Sequence, residues 1–507
     1  MTVEAFGVIV AGAFGAAIGS FLNVVIFRLP RGLSIREPRW SFCPRCRTQI
    51  RPRHNLPIIG WFILRGKCAA CGQPISAIYP TIEALTALLF MVVWDALFVM
   101  RQLPAVDSPL SDWGLLLAWL SLFACLLAIS AMDIESYMID VRALNLAMVI
   151  GVVGHTLWWM SRGAEFAGPF LFGKDGSAGF IPSVVPRDVP RNLIDTPPPA
   201  IALAACAAGV AWALTALVLR WFGVKPLTEE AAASEESPGA EADDHRESDQ
   251  TAYLTGGAGG FRPAPVILLC LVILVLGGWQ FAEAQGWLGA SLDRWRGVLG
   301  AVSLMAAVVA SSLDVREADE QIIEEIESER PQARRVAMIE FAHFLPALGV
   351  GFGLLFYYGS QHLLDTPLDA LLGAPAGAAW APALGGALYA GSGMVLGAAI
   401  GWFVRIGGTL AFGKEAFGSG DIFILGAIGA CLGFWGAFFS FFLSVFLALA
   451  GVLTTSFAKK SRALPFGPWL TLGAIVYLWV GPFIAAYFSS AANAIWDLFY
   501  ASGPAAS

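Results

Sequence analysis

Long apolar runs recur from one end of this chain to the other, separated by short polar stretches. The runs fall at roughly 5–27, 80–100, 114–132, 142–160, 200–222, 264–284, 296–313, 336–358, 382–404, 422–437, 440–457 and 464–488. Stretches of about twenty apolar residues are long enough to cross a bilayer as helices. Helices are also the form that satisfies backbone polar groups internally in lipid, and a closed barrel would instead show short alternating strands. The pattern therefore predicts an all-α bundle of about twelve transmembrane spans. Three stretches interrupt it. Residues 228–249 are acidic and nearly free of bulky apolar side chains, which reads as a linker without its own fold. Residues 314–335 are charged, with Ile322, Ile323 and Ile326 at helical spacing, and read as an exposed helix ending near Pro331. Residues 163–199 read as an irregular external loop.

Composition agrees. Of 507 residues 57% are hydrophobic and 14% charged, with mean hydropathy +0.68; a soluble domain carries about a quarter charged residues. The first run, Val3 to Phe27, is too long and too rich in Gly and Asn for a cleaved signal peptide and reads as a retained span. The net charge of -7 is segregated by segment and points to no nucleic-acid partner. Residues 28–79 carry ten Lys/Arg against one acid, Glu37. The positive-inside rule puts that loop in the cytoplasm and the N-terminus outside. Counting spans then brings the end of the third and the start of the tenth to the cytoplasmic face, the latter next to Arg405 and Lys414.

Those two ends each carry an aspartate: Asp133 closes LLAWLSLFACLLAISAMD and Asp421 stands in FGSGDIFILGAIGACLG. Carboxylates at the edge of lipid-exposed helices are costly unless they face protein or water. One reading makes them a helix cap and a buried hydrogen-bonded turn. The other makes them a pair sharing one proton, the equipment of an aspartyl protease. A second constellation lies in the basic loop, where Cys43, Cys46, Cys68 and Cys71 form two C-x2-C pairs separated by 21 residues. That spacing suits tetrahedral Zn2+ held by four thiolates, a closed and therefore structural site. A cytoplasmic loop argues against disulfides. Cys125, Cys206, Cys270 and Cys431 lie in apolar runs and read as packing residues.

Taken in order, the motifs resemble those of the bacterial prepilin peptidases (type IV leader peptidases). Gly19-Ser20-Phe21-Leu22-Asn23-Val24-Val25-Ile26 and Arg28-Leu29-Pro30 are similar to the family's opening motif. The cysteine loop follows, with Asn55-Leu56-Pro57-Ile58, Gly60-Trp61, Leu64-Arg65-Gly66-Lys67, Pro74-Ile75-Ser76 and Tyr79-Pro80-Thr81-Ile82-Glu83. Gly418-Ser419-Gly420-Asp421 resembles the second catalytic motif, G-x-G-D, and Leu464-Pro465-Phe466-Gly467-Pro468 the opening of the last helix. The match covers about 1–160 and 395–490. It departs at Ile139-Asp140-Val141, where the family continues to Ile/Leu-Pro-Asp, and at Phe423, where it often has Lys.

The resemblance implies a bacterial inner-membrane endopeptidase with Asp133 and Asp421 catalytic and its active site facing the cytoplasm. Its substrates would be type IV prepilins or type II secretion pseudopilins, cut just after a glycine to release a short basic leader. It also implies N-methylation of the new N-terminus with S-adenosylmethionine. Gly418 and Gly420 either let the substrate's extended backbone approach or form a helix-opening turn. Glu135 and Asp140 either attract the leader's positive charges or face water at a helix end. The basic loop suits anionic membrane lipids better than a positively charged leader. The implied organisation is a first span (1–27), the zinc loop (28–79), spans bearing the first aspartate (80–160), an inserted region with extra spans and charged linkers (161–380), spans with the G-x-G-D motif (381–490) and a tail (491–507). Two readings compete: a secondary transporter with intramembrane carboxylates, and an inactive homologue serving as a membrane scaffold. The transporter predicts carboxylates nearer mid-helix and a repeat between halves, neither of which the sequence has. Nothing in the sequence sets the oligomeric state.

Overall fold

The computed structural model describes residues 2–37, 40–43, 45–99, 106, 108–136, 139–166, 199–221, 278, 318–361, 363, 368–373, 378–456 and 465–481. Among them, eight helices are long and apolar enough to cross a membrane. They are α1 (Val3–Arg28), α3 (Ile78–Trp94, extended by one wider turn, Asp95–Val99), α4 (Trp113–Ser136), α5 (Val141–Phe166), α6 (Pro199–Trp221), α7 (Ala318–Ser360), α8 (Ala381–Phe412) and α9 (Ser419–Ser456). A short helix α2 (Ile59–Ile63) lies in the cysteine loop, and a shorter apolar helix α10 (Gly467–Gly481) closes the described chain. The protein is a helical, multi-pass bundle. Between residues Phe42 and Gln49, and between Lys67 and Pro74, single bridges replace any strand among the described residues.

The sequence predicts about twelve spans, and the described residues cover only part of that number. The expected spans 264–284 (Gly278 apart) and 296–313, the linker 228–249, most of the loop 163–199 and the tail 491–507 lie outside the described residues. The expected spans 422–437 and 440–457 correspond to the two helical halves of α9, which meet at a break at Gly433 (φ 76, ψ 176). That backbone conformation is open essentially only to glycine, and because its neighbours are all apolar the sequence pattern sets the boundary between the two spans a few residues later. The expected helix end at Pro331 is also corrected, since α7 runs through that proline. Proline removes one amide donor from a helix, a local loss that a long helix absorbs when the turns on either side persist.

The first half of α9 is the axis of the bundle. Ile424, Leu425, Ala427 and Ile428 are fully buried there, as are Leu122, Phe123, Leu126 and Ile129 of α4. Tight approach of α8 uses glycine: a Cβ on Gly429 would collide with the Gly393 carbonyl, so the backbones meet where any side chain would hold them apart. Gly393, Gly397 and Gly401 lie against Gly429, Leu425 and Ile422 in turn, making α8 and this half antiparallel. The break at Gly433 turns the chain back, and α10 then runs antiparallel to the second half, with Trp469 against Gly451 and Gly473 against Ser440. Just before the break, the Cys431 carbonyl is taken by two side chains, Trp119 Nε1 at 3.1 Å and His155 Nε2 at 2.9 Å. In an apolar interior, backbone groups released by a helix break need such partners.

Outward faces are apolar. Phe6, Phe14 and Phe21 of α1, Val210, Leu214 and Leu217 of α6, and Phe352 and Phe356 of α7 are exposed, as suits side chains that meet lipid tails.

One side-chain contact ties α1 to the start of α3, and another ties the cysteine loop to α3. Asn23 Nδ2 donates to the Tyr79 carbonyl at 3.0 Å, and the Ile58 amide donates to Glu83 Oε2 at 2.6 Å. Ile58 has φ 62, a costly conformation for a β-branched residue. Glu83 lies more than a turn inside α3, so its bond draws the start of α2 down to the level of the helix ends.

Candidate active site

Asp133 sits in the last turn of α4, 5% exposed, and Asp421 in the first turn of α9, 6% exposed. The fold brings them together, close enough for their carboxyl groups to interact electrostatically. Each carboxyl accepts one backbone amide from a glycine. Gly467 N, opening α10, donates to Asp133 Oδ2 at 3.1 Å, and the Gly418 amide is hydrogen-bonded to Asp421. Asp421 Oδ1 is buried and has no protein partner. A buried carboxylate oxygen left open in this way is expensive in a merely structural role.

The register of α4 on α10 is held one turn deeper, where Ser130 and Thr471 exchange a hydrogen bond of 2.8 Å. That contact, with the Gly467 amide, ties the end of α4 to the Pro465-Phe466-Gly467 turn. The room is tight on every side. A Cβ on Gly467 would come within 2.8 Å of Asp133 Oδ2, one on Gly418 within 3.1 Å of Asp421 Oδ2, and one on Gly420 within 2.7 Å of Ile139. Gly420 thus faces the α4–α5 connection. Glu135 belongs to α4, but its side chain lies outside the described residues. Asp140 forms a salt bridge of 2.6 Å with Arg142. Partial burial pushes the Asp140 carboxyl up, and the Arg142 hydrogen bonds outweigh it, holding the group below its ordinary value.

A third set of charges was not singled out by the sequence reading, which noted Arg405 only as a basic neighbour. The Arg405 guanidinium on α8 pairs with Glu340 of α7 at 3.1 Å and with Glu415. It also donates to the Phe417 carbonyl at 2.8 Å. The available signal was an acid inside one apolar run and a basic residue at the edge of another.

The four thiols of Cys43, Cys46, Cys68 and Cys71 lie within 4.8 Å of one another and could hold a metal ion. Cys43–Cys71 and Cys46–Cys68 are each 4.0 Å apart, close to the separation that ~2.3 Å Zn–S bonds impose on a tetrahedron. Each pair stands on a matching turn: Cys43 N donates to Thr48 O and Arg47 N to Cys43 O, while Cys68 N donates to Gln73 O and Gly72 N to Cys68 O. Hydrogen bonds to Thr48 lower the Cys46 thiol to about 6, and burial pushes Cys43 up to about 12.

Known proteins match part of this chain. Residues 13–97 match the family model described as the bacterial peptidase A24 N-terminal domain. The prepilin leader peptidase/N-methyltransferase of Myxococcus xanthus is 51% identical over 76 residues, 15% of this chain and 22% of that protein. The Neisseria gonorrhoeae protein of the same name is 40% identical over 115 residues, 18% of this chain and 40% of that protein. The one from Klebsiella pneumoniae is 39% identical over 131 residues, 25% of this chain and 51% of that protein. The chain thus spans between about a fifth and a half of the length of these relatives. No solved structure matches. The resemblance carried by the motifs is therefore matched by whole-segment similarity, over part of an enlarged chain.

Proposed function

We propose that this chain is an intramembrane aspartyl endopeptidase that removes basic leader peptides from type IV prepilins or pseudopilins at the cytoplasmic face of the inner membrane. The observation that carries this reading is the meeting of Asp133 and Asp421, buried, mutually interacting, and each cradled by one glycine amide. Two adjacent carboxyls cannot both ionise cheaply, so one keeps a proton. The ionised partner takes a proton from water as the water oxygen attacks the scissile carbonyl. The protonated partner donates a hydrogen bond to the developing oxyanion and transfers that same proton to the leaving amine as the intermediate collapses, while the other keeps the proton taken from water. The pair titrates as a unit, so the roles belong to the dyad. The Gly418 and Gly467 amides keep both carboxyls oriented through the cycle. The basic loop at 28–79 supports a cytoplasmic orientation.

The four thiols fit Zn2+, which would brace the loop between α1 and α3. S-adenosylmethionine finds no comparable support: among the described residues there is no strand-to-helix glycine turn of the kind that cradles nucleotides, and methyl transfer rests on the relatives' names. One assay tests both activities. The full chain in nanodiscs is incubated with a candidate prepilin and methyl-labelled S-adenosylmethionine. Cleavage falls by about a hundred- to ten-thousand-fold in Asp133→Asn or Asp421→Asn, with the protein still folded. Full processing by either variant defeats the assignment, and absence of label in cleaved pilin removes the methyltransferase.

Lipid is the partner best supported for the cysteine loop. Beside its basic residues, Leu56, Ile59, Phe62 and Ile63 are exposed, and the Ile58–Glu83 bond holds them at the depth of the helix ends. An apolar face with surrounding Lys/Arg at that depth suits the headgroup boundary. A spin label at Ile63→Cys should collide more with oxygen than with a water-soluble nickel chelate, the more so as anionic lipid is raised. Preference for the nickel reagent rejects the contact.

A further inference from the structure

Arg405 stands seven residues before the end of α8 with its side chain 11% exposed. Its Nε lies 3.2 Å from both Glu340 carboxylate oxygens, its Nη2 3.1 Å from Glu340 Oε1, and its Nη1 reaches Glu415 and the Phe417 carbonyl. The Phe417 carbonyl and the Gly418 amide are two ends of one peptide unit. That amide is the one bonded to Asp421. An unbroken path therefore runs from α7 through Glu340, Arg405 and a single peptide group to the carboxyl of Asp421.

Two physical consequences follow. A cation on the carbonyl end draws electron density from the peptide and makes its N–H a stronger donor to a carboxylate. The planar guanidinium also fixes the peptide's orientation, because one fork engages Glu340 while the other engages the loop. The loop is pinned on its other flank as well, by Ala416 N donating to Thr409 Oγ1 at 3.3 Å and by the left-handed Gly413 that ends α8. As a source of stability alone, a buried ion pair is a poor device, since desolvation offsets most of its attraction.

We propose that Arg405 is a positioning residue for the aspartate dyad, acting through the Phe417–Gly418 peptide, and that Glu340 of α7 sets the direction of its guanidinium. The region between α5 and α8 thereby contributes to the active site. This deepens the peptidase reading and rests on it.

The test compares the full chain in nanodiscs with Arg405→Gln, Arg405→Lys, Glu340→Gln and the double variant Glu340→Gln/Arg405→Gln. Misplacement of a reacting group by about 1 Å costs on the order of a hundredfold, so Arg405→Gln should lose kcat by about that factor with KM within twofold. Arg405→Lys, which keeps the charge without the fork, should recover part of the loss. Glu340→Gln should act in the same direction and add little in the double variant. Amide exchange over 413–421 should rise in Arg405→Gln and Glu340→Gln, and this readout needs no activity. It separates two failures: a wild-type chain that never cleaves removes the peptidase reading, while unchanged exchange in the variants removes the relay. Wild-type kcat per folded molecule in Arg405→Gln, even with a lowered melting temperature, overturns the proposal. Fully additive losses in the double variant overturn the part assigned to Glu340.

Discussion

Within the four-thiol cluster, the two sulfurs that follow α1 are tuned in opposite directions. The Cys46 thiol, lowered to about 6, is ionised at neutral pH, while Cys43, pushed up to about 12, keeps its proton. A metal ion needs thiolates from both, so loading the site releases a proton, and acid opposes it. Affinity for Zn2+ should therefore fall as pH drops, steeply once Cys46 itself protonates below about 6. Metal release to a chromogenic chelator across pH 5–8 measures this directly; release independent of pH would contradict a thiolate site. The cysteines and the two aspartates were legible in the sequence because each is chemically conspicuous against an apolar or regularly spaced background. Glu340 was not. An acid inside a hydrophobic run and a basic residue at the edge of another carry no mutual signature, and Arg405 reads equally well as an ordinary flanking cation. Only packing shows that they meet.

At the level of elements, the break at Gly433 decides how the dyad is presented. From Ser419 to Gly433, α9 rises about 21 Å at 1.5 Å per residue, less than the ~30 Å hydrocarbon thickness. This half is enclosed by α4, α5 and α8 and so needs no lipid to match it. Gly433→Ala should destabilise the fold by about 1–3 kcal/mol, because φ 76 disfavours any side chain and a Cβ would strike the Tyr389 hydroxyl. Thermal unfolding in detergent reads this out; a neutral substitution would mean that the chain can straighten here. Most spans were visible from apolar runs of the right length. The division of 422–457 into two spans was expected too, but not its position at Gly433, and the persistence of α7 through Pro331 was not visible, because a proline signals a lost donor without saying whether neighbouring turns hold.

For the whole molecule, helix directions make a consistent account. α6 runs parallel to α8, with Cys206 beside Gly391 and Gly209 beside Val395, and α8 ends at Phe412, just before the loop that delivers Asp421. In the proposed orientation, α5 ends outside and α6 returns to the cytoplasm. A reporter enzyme that works only outside the cytoplasm should be active when fused after Phe166 and silent after Trp221. The reverse pattern would invert the bundle and put the dyad on the wrong side for a cytoplasmic leader. The proposed orientation comes from the basic loop together with the span count, whereas the convergence of remote helix ends on one site needed the packing of glycine on backbone to become visible.

The ion pair between α7 and α8 also bears on engineering. Trimming residues 161–380 to approach the size of the relatives would strip away Glu340 and leave Arg405 with Glu415 as its surviving acidic contact in a recess shaped for two. Simple excision should then yield a folded but sluggish catalyst. Adding back a separate helix with one carboxylate at the matching depth should restore it, which would make the extra segment a detachable control part.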